Sequence, residues 1–227
     1  MLTIKNTGYF SFIVQIVIGI LQLKGIFIKL PSKYNILINI LQLETFVQIV
    51  EAIFYYWLLN NFDKKNKITE TRYFDWVLTT PTMLLSTIMY FKFLENENNS
   101  EKKISFIDFI KENKKVIIKI FIYNWLMLLL GYLGEKGLIP KEFYIPIGFI
   151  FLILSFKTIY DNFVVNNNKS KKLFYFIFTI WSLYGVAALL PFNEKNIMYN
   201  ILDIISKNFY GIYIYNEVIK YNNISNN

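Results

Sequence analysis

Seven long apolar runs, each cut off by a short polar stretch rich in Lys and Asn, constrain this chain more than any other feature. A run of roughly 20 apolar residues is long enough to cross a bilayer as a helix, and only helices and closed barrels satisfy their backbone there. The runs are helical in length and cover about 7–30, 34–61, 72–94, 115–134, 143–165, 172–191 and 196–221. The expected fold is therefore all-α: an integral membrane bundle of seven transmembrane helices, with residues 1–227 forming a single domain. The longest connection, Glu95 to Lys115, is polar, and its Ile104–Ile110 stretch reads as a short interfacial helix. No cleavable signal peptide is expected, because Ser11, Gln15 and Gln22 interrupt a first run that is also too long for one.

Composition narrows the chemistry. The chain is 55% hydrophobic with 19% aromatics and has no cysteine and no histidine, so disulfides, thiolates and imidazole acid–base or metal chemistry are excluded. The net charge of +8 comes from lysines lying between the apolar runs, a pattern of juxtamembrane loops facing anionic lipid and not of a nucleic-acid surface. If the N-terminus is outside, the cytoplasmic loops hold Lys33, Lys102, Lys103, Lys111, Lys114, Lys115, Lys169, Lys171 and Lys172. The outer loops then hold fewer: Lys64, Lys65, Lys67, Lys136, Lys141 and Lys195. This bias favours an N-out, C-in topology.

Lys207 is the oddity of the last run. It lies about 11 residues in, or roughly 16 Å along a helix, beyond easy snorkelling to the surface. A lone charge at that depth costs at least ~2.5 kcal/mol. Asp203 stands one turn earlier on the same face and can partner it. That pair alone is compatible with a structural bridge. The third run adds Arg72 and Asp75, and at 100° per residue Arg72, Asp75, Thr79 and Ser86 fall on one stripe. Pro81 is tolerated there if threonines and packed neighbours satisfy the carbonyl it frees.

Arg72-Tyr73-Phe74-Asp75-Trp76-Val77-Leu78-Thr79-Thr80-Pro81, together with Asp203-x-x-x-Lys207, resembles the paired signatures of the microbial (type 1) rhodopsins. Tyr199-Asn200, Gly211, Asn216 and Gly131-Tyr132-Leu133-Gly134-Glu135 look like proteorhodopsin, and Trp181-Ser182-Leu183-Tyr184 resembles the sixth-helix retinal clamp. The resemblance implies all-trans-retinal held on Lys207 as a protonated Schiff base. It implies that Trp76 and Trp181 sandwich the polyene, and that Thr80, Met83, Met127, Gly131 and Tyr184 line the pocket. Met83, apolar at the colour-tuning position, implies green absorption. Gly185 departs from the proline of bacteriorhodopsin and proteorhodopsin, so the sixth helix is expected to bend differently.

By the same resemblance Asp75 and Asp203 are counterions and Asp75 the primary proton acceptor. Arg72 is expected to keep both ionised, and Thr79 to donate a hydrogen bond to Asp75. Ser86 stands eleven residues after Asp75, where strong proton pumps carry a carboxylate donor. The Asp75-Thr79-Ser86 set resembles a viral branch of the family. Glu44, Gln48, Glu51 and Tyr55 form a polar face on the second helix, matched by Ser11, Gln15 and Gln22 on the first. Such a face supports either interhelical hydrogen bonds or a hydrated path; either glutamate could reach the charged nitrogen. Glutamates seven apart and Asn208 after the lysine look like channelrhodopsin. By resemblance to the inter-helix hydrogen bond of this family, Asn124 is expected to pair with Thr80, and Glu194 is a candidate for proton release.

The reading from sequence is a light-driven outward proton pump, not an enzyme, with a light-gated cation channel as the alternative and a photosensor with a separate transducer as the second alternative. The implied partners are the plasma or host-cell bilayer, retinal, translocated protons or cations, and further copies of the chain, since the family assembles as trimers and pentamers.

Overall fold

The structure, a computed structural model, describes residues 2–62, 65–97 and 104–226. Lys64, Lys102 and Lys103, which the topology argument used, lie outside the described residues, and of Lys65 only the backbone is described.

Among the described residues the chain forms seven helical rods. The first five are α1 (Ile4–Gly25), α2 (Asn35–Asn60), α3 (Lys65–Asn96), α4 (Phe106–Glu135) and α5 (Lys141–Ile159), the last continued by a π-helical turn, Tyr160–Val164. The sixth rod is α6 (Asn168–Ala187). The seventh is α7 (Phe192–Asp203), a π-helical turn Ile204–Asn208, and α8 (Phe209–Asn226). Successive rods pack side by side, and α1 also lies against α7 and α8, closing the ring.

The ends follow the local sequence. The Thr3 hydroxyl caps α1 by accepting from the Asn6 N–H at 3.1 Å, and Asn167 caps α6 through the N–H groups of Lys169 and Ser170. Ser105 caps α4, so the stretch expected to be a separate interfacial helix is the first turns of α4 itself. α3 likewise starts at Lys65, two turns before Arg72, which places Arg72 inside the helix and not at its start. The carbonyl freed by Pro81 is that of Val77. It accepts from the Trp125 indole N–H at 3.2 Å, so a neighbouring helix repairs the proline and the threonines do not. Thr79 and Thr80 instead back-bond to the carbonyls of Asp75 and Trp76.

Five of the rods are long and apolar enough to cross a membrane by length and composition. Their polarity is inverted relative to a soluble bundle. The buried face of α1 consists of Thr7, Gly8, Ser11, Gln15, Gln22 and Gly25, while Ile13, Ile16, Val17 and Ile20 point outward. The outward residues are solvated by lipid, and the polar ones gain only from each other. This is an integral, multi-pass membrane protein. An apolar cluster running from Ile36 through Ile88, Phe156 and Phe174 to Val218 fills the half of the bundle nearer the α2 start and the α8 end. In the opposite half polar groups around Arg72 lie between two smaller apolar clusters, one containing Trp76, Leu128 and Leu202 and the other Phe54, Leu58 and Ile68.

Gly185 meets its α5 neighbour directly: a Cβ there would lie 2.5 Å from the Phe149 ring. What replaces the proline is a close helix contact.

Candidate functional site: a buried lysine, its carboxylates and an apolar cleft

Lys207 sits on the π-helical turn of the seventh rod and is 3% exposed. Its Nζ bonds to the Glu51 carboxylate, lies 3.1 Å from Asp75 Oδ2 and 3.4 Å from Asp203 Oδ1. The sequence left open which glutamate of α2 reaches this amine; the structure places Glu51 there, and Glu44 instead accepts from the Ser86 hydroxyl. Three carboxyl groups from three rods therefore converge on one cation, which offsets the cost of burying it.

Arg72 is fully buried and forms a second centre. Its Nη1 meets Asp203 Oδ2 at 3.1 Å, its Nε donates to Asn196 Oδ1 at 3.2 Å, and its Nη2 donates to Asn200 Oδ1. The Tyr55 hydroxyl donates to Asp203 Oδ2 at 2.7 Å and Tyr184 donates to Oδ1 at 2.8 Å. Asp203 is thus the shared anion between Arg72 and Lys207. Of the two aspartates that Arg72 is expected to keep ionised, it bonds Asp203 directly, while Asp75 lies one turn further along α3, on the Lys207 side. The expected bond from Thr79 to the Asp75 carboxylate is corrected. The Thr79 hydroxyl turns back to the Asp75 backbone carbonyl at 3.1 Å, the usual choice of a mid-helix threonine.

The π turn explains further contacts. At Ile204 the backbone N–H turns to the Ile201 carbonyl, away from Asn200. The Ser11 hydroxyl of α1 donates to the Asn200 carbonyl at 2.8 Å. Asn200 Nδ2 reaches Thr7 at 2.8 Å and Asn196 Nδ2 reaches Thr69 at 3.0 Å. These asparagine contacts were not foreseen; the only hint was the unusual density of amides in the last run. Also unforeseen is Lys195, assigned to an outer loop, which lies buried in the first turn of α7 and bonds both Glu135 oxygens at 2.7 Å. Glu194 is exposed, and no hydrogen bond to its carboxylate is found among the described residues.

On the other side of Lys207 the polar contacts continue along α1, α2 and the π turn. Gln48 Nε2 donates to Asn208 Oδ1 at 2.8 Å and to the Gln15 amide oxygen. Beyond it, Gln22 and Glu44 are buried with amide or carboxylate atoms that have no partner among the described residues.

A cleft opens beside Lys207, with about 820 Å³ of empty space including its mouth. Lys207, Trp76, Thr80, Met83, Met127, Gly131, Trp181 and Tyr184 all line it, so the expected pocket residues come together in one place. Asn124 donates to Thr80 at 2.7 Å, the pairing that the resemblance implied. A mostly apolar cleft lined by two tryptophans and one lysine amine fits a polyene aldehyde condensed onto that amine. The acids around Nζ fit the charge such a linkage carries.

The chain matches the sequence profile described as Bacteriorhodopsin-like protein over residues 6–221. No curated protein matches it. Among solved structures, viral rhodopsin OLPVRII superposes with a TM-score of 0.82 at 28% identity, over 96% of this chain and 98% of that one. The blue light-absorbing proteorhodopsin from Med12 gives 0.73 at 18% identity, over 96% and 97%. The proton-pumping rhodopsin AR2 of the marine alga Acetabularia acetabulum gives 0.72 at 18%, over 99% and 96%. These last two likenesses show the fold.

Proposed function

Because the chain belongs to the bacteriorhodopsin-like family, whose members bind retinal as a Schiff base on a lysine, we propose that it is a light-gated cation channel with its retinal on Lys207. The observation that carries this reading is a polar seam between α1, α2, α3 and the seventh rod. It runs from Thr69 and Asn196, through Arg72, Asp203 and Lys207, to Asn208, Gln48, Gln15 and Gln22. Water is the natural partner for the polar atoms left over on this seam, and a hydrated file beside fixed carboxylates favours cations.

Bound retinal supplies light absorption and a change of shape at the Lys207 nitrogen. The chain's own residues do the rest. Glu51, Asp75 and Asp203 hold the positive charge. Asn208 follows Lys207 on the same π turn and donates nothing to Gln48 but accepts from it, so displacement of that turn pulls directly on the Gln48 contact. In this reading residues 1–227 act as one retinal-binding unit with the N-terminus outside.

One observation favours a second reading, an outward proton pump. Asp75 Oδ2 is 3.1 Å from Lys207 Nζ, within reach for accepting a proton, and Glu44 beside Ser86 supplies a carboxyl group on the opposite side.

Voltage-clamped cells under illumination distinguish them. In the channel reading the photocurrent reverses sign as voltage and cation gradient are varied. An outward current that never reverses overturns it in favour of the pump. Asp75→Asn should move the absorption band to longer wavelength, because one of the anions around the chromophore charge is removed; an unchanged spectrum would refute Asp75 as counterion.

A further inference from the structure

We infer that Gln22, seated over Gly211, forms a binding site for a permeating monovalent cation on the cytoplasmic side of Lys207. This rests on the channel reading.

Gln22 is completely buried on α1, and neither its amide nitrogen nor its amide oxygen has a partner among the described residues. Leaving a donor and an acceptor both unpaired inside a bundle is costly, so a native sequence keeps such a group where a ligand or water completes it. The space it occupies is provided by a glycine. A Cβ on Gly211 would collide with the Gln22 amide nitrogen and would lie 3.9 Å from Gln48 Oε1. Bare backbone at 211 therefore lets the Gln22 amide stand in the seam beside Gln48, which in turn contacts Gln15 and Asn208.

Beyond Gln22 the seam is shut. A Cβ on Gly25 would lie 2.7 Å from Leu41 and 2.8 Å from the Tyr215 ring, so these side chains close over Gly25 one turn below the glutamine. Gln22 is thus the last buried polar side chain of α1 before that apolar seal. An ion entering past that seal, or leaving toward it, meets amide groups first. The carboxylate of α2 in this half, Glu44, accepts from Ser86 on one oxygen and keeps the other without a partner among the described residues. Neutral carbonyl dipoles can replace part of the water of Na⁺ or K⁺, whereas Ca²⁺ and Mg²⁺ are held by carboxylates or keep their waters. The site therefore takes a partly dehydrated monovalent cation.

The test uses the full chain with retinal in voltage-clamped cells, with Na⁺, K⁺ or Ca²⁺ as the main external cation. The visible band reports folding of each variant. Gln22→Leu should keep the band and lower the Na⁺ and K⁺ photocurrent roughly tenfold, the scale of one lost ligand interaction. Gln22→Glu should retain current and shift the reversal potential toward Ca²⁺. Gly211→Ala should displace only the end of a flexible side chain, keep the band, and reduce current in the same direction as Gln22→Leu. If Gln22→Leu fails to form pigment, Gly211→Ala and Gln22→Glu decide. Wild-type current that reverses with the gradient, together with unchanged amplitude and reversal potential in these variants, overturns the site and leaves the channel reading standing. Wild-type current that never reverses overturns both.

Discussion

The two sides of Lys207 are built from similar side chains but treated differently. Toward Arg72, Asp203 accepts from Tyr55, Tyr184 and Arg72, and the flanking asparagines are tied to α1 and α3. Toward Gln22, amides and a carboxylate are equally buried, yet Gln15, Gln22, Glu44 and Asn208 each keep at least one atom without a protein partner. A fully satisfied buried network fixes one geometry, whereas a partly satisfied one depends on water or ions. The network of Arg72 and Asp203 is accordingly the rigid part, Glu51 and Asp75 beside Lys207 each keep one oxygen without a partner among the described residues, and the Gln22 side is the part of the seam that can hydrate and conduct.

The largest way to break this contrast is on the satisfied side. Arg72→Ala removes the guanidinium and leaves Asn196, Asn200 and one Asp203 oxygen short of a donor. Breaking a buried pair in this way costs about 3–5 kcal/mol, so the pigment should bleach at clearly lower temperature; thermal bleaching matching wild type would show the network to be dispensable. On the other side, Gln48→Leu should behave oppositely. It leaves the Gln15 and Asn208 oxygens without that donor, a cost of about 1–3 kcal/mol that water entering this side offsets, so stability should fall less than in Arg72→Ala while photocurrent falls strongly. Bleaching as severe as in Arg72→Ala would erase the distinction between the halves.

A finer test is Glu44→Gln. The amide oxygen can still accept from Ser86, so the band should be unchanged and the current altered only roughly two- to threefold, as for an exchange of one charged hydrogen bond for a neutral one. If current and photocycle both match wild type, Glu44 is packing alone.

The smallest effect belongs to the surface. Burial pushes the Glu97 carboxyl up, but hydrogen bonds from Lys169 and Tyr221 outweigh it and hold the group below its usual value. A carboxyl lowered on folding stabilises the protein above its unfolded pKa, and that contribution fades as pH falls through the lower folded value. Glu97→Gln should therefore lower thermal stability slightly at neutral pH and make no difference in strong acid. With Lys169 exposed, the effect stays within the range of surface pairs.

Much of the site could be read from the chain because it obeys helical periodicity. Arg72, Asp75 and Ser86 share a face at 100° per residue, and so do Glu44, Gln48 and Glu51; all are buried in the bundle. What periodicity cannot supply is the relative height of two helices. That is why the partner of Lys207 stayed open between Glu44 and Glu51, and why the direct contact of Arg72 with Asp203 alone could not be read. The π turn at Ile204–Asn208 was likewise illegible, since no proline or glycine marks it, and it governs where Asn200 and Asn208 point. The repair of Pro81 by Trp125 depends on an inter-helix contact and could not be foreseen from α3 alone. The start of α4 was missed for a different reason: Ser105 is a good cap, but the polar residues after Ile110 break the apolar run that marks a span.

Light-dependent sodium movement in sealed vesicles holding the retinal-loaded protein tests the central claim most directly. With a sodium gradient imposed in either direction, illumination should let sodium run down that gradient and should cease to move it when the two sides are equal. Movement of protons alone, in one fixed direction and against an opposing gradient, would contradict the account.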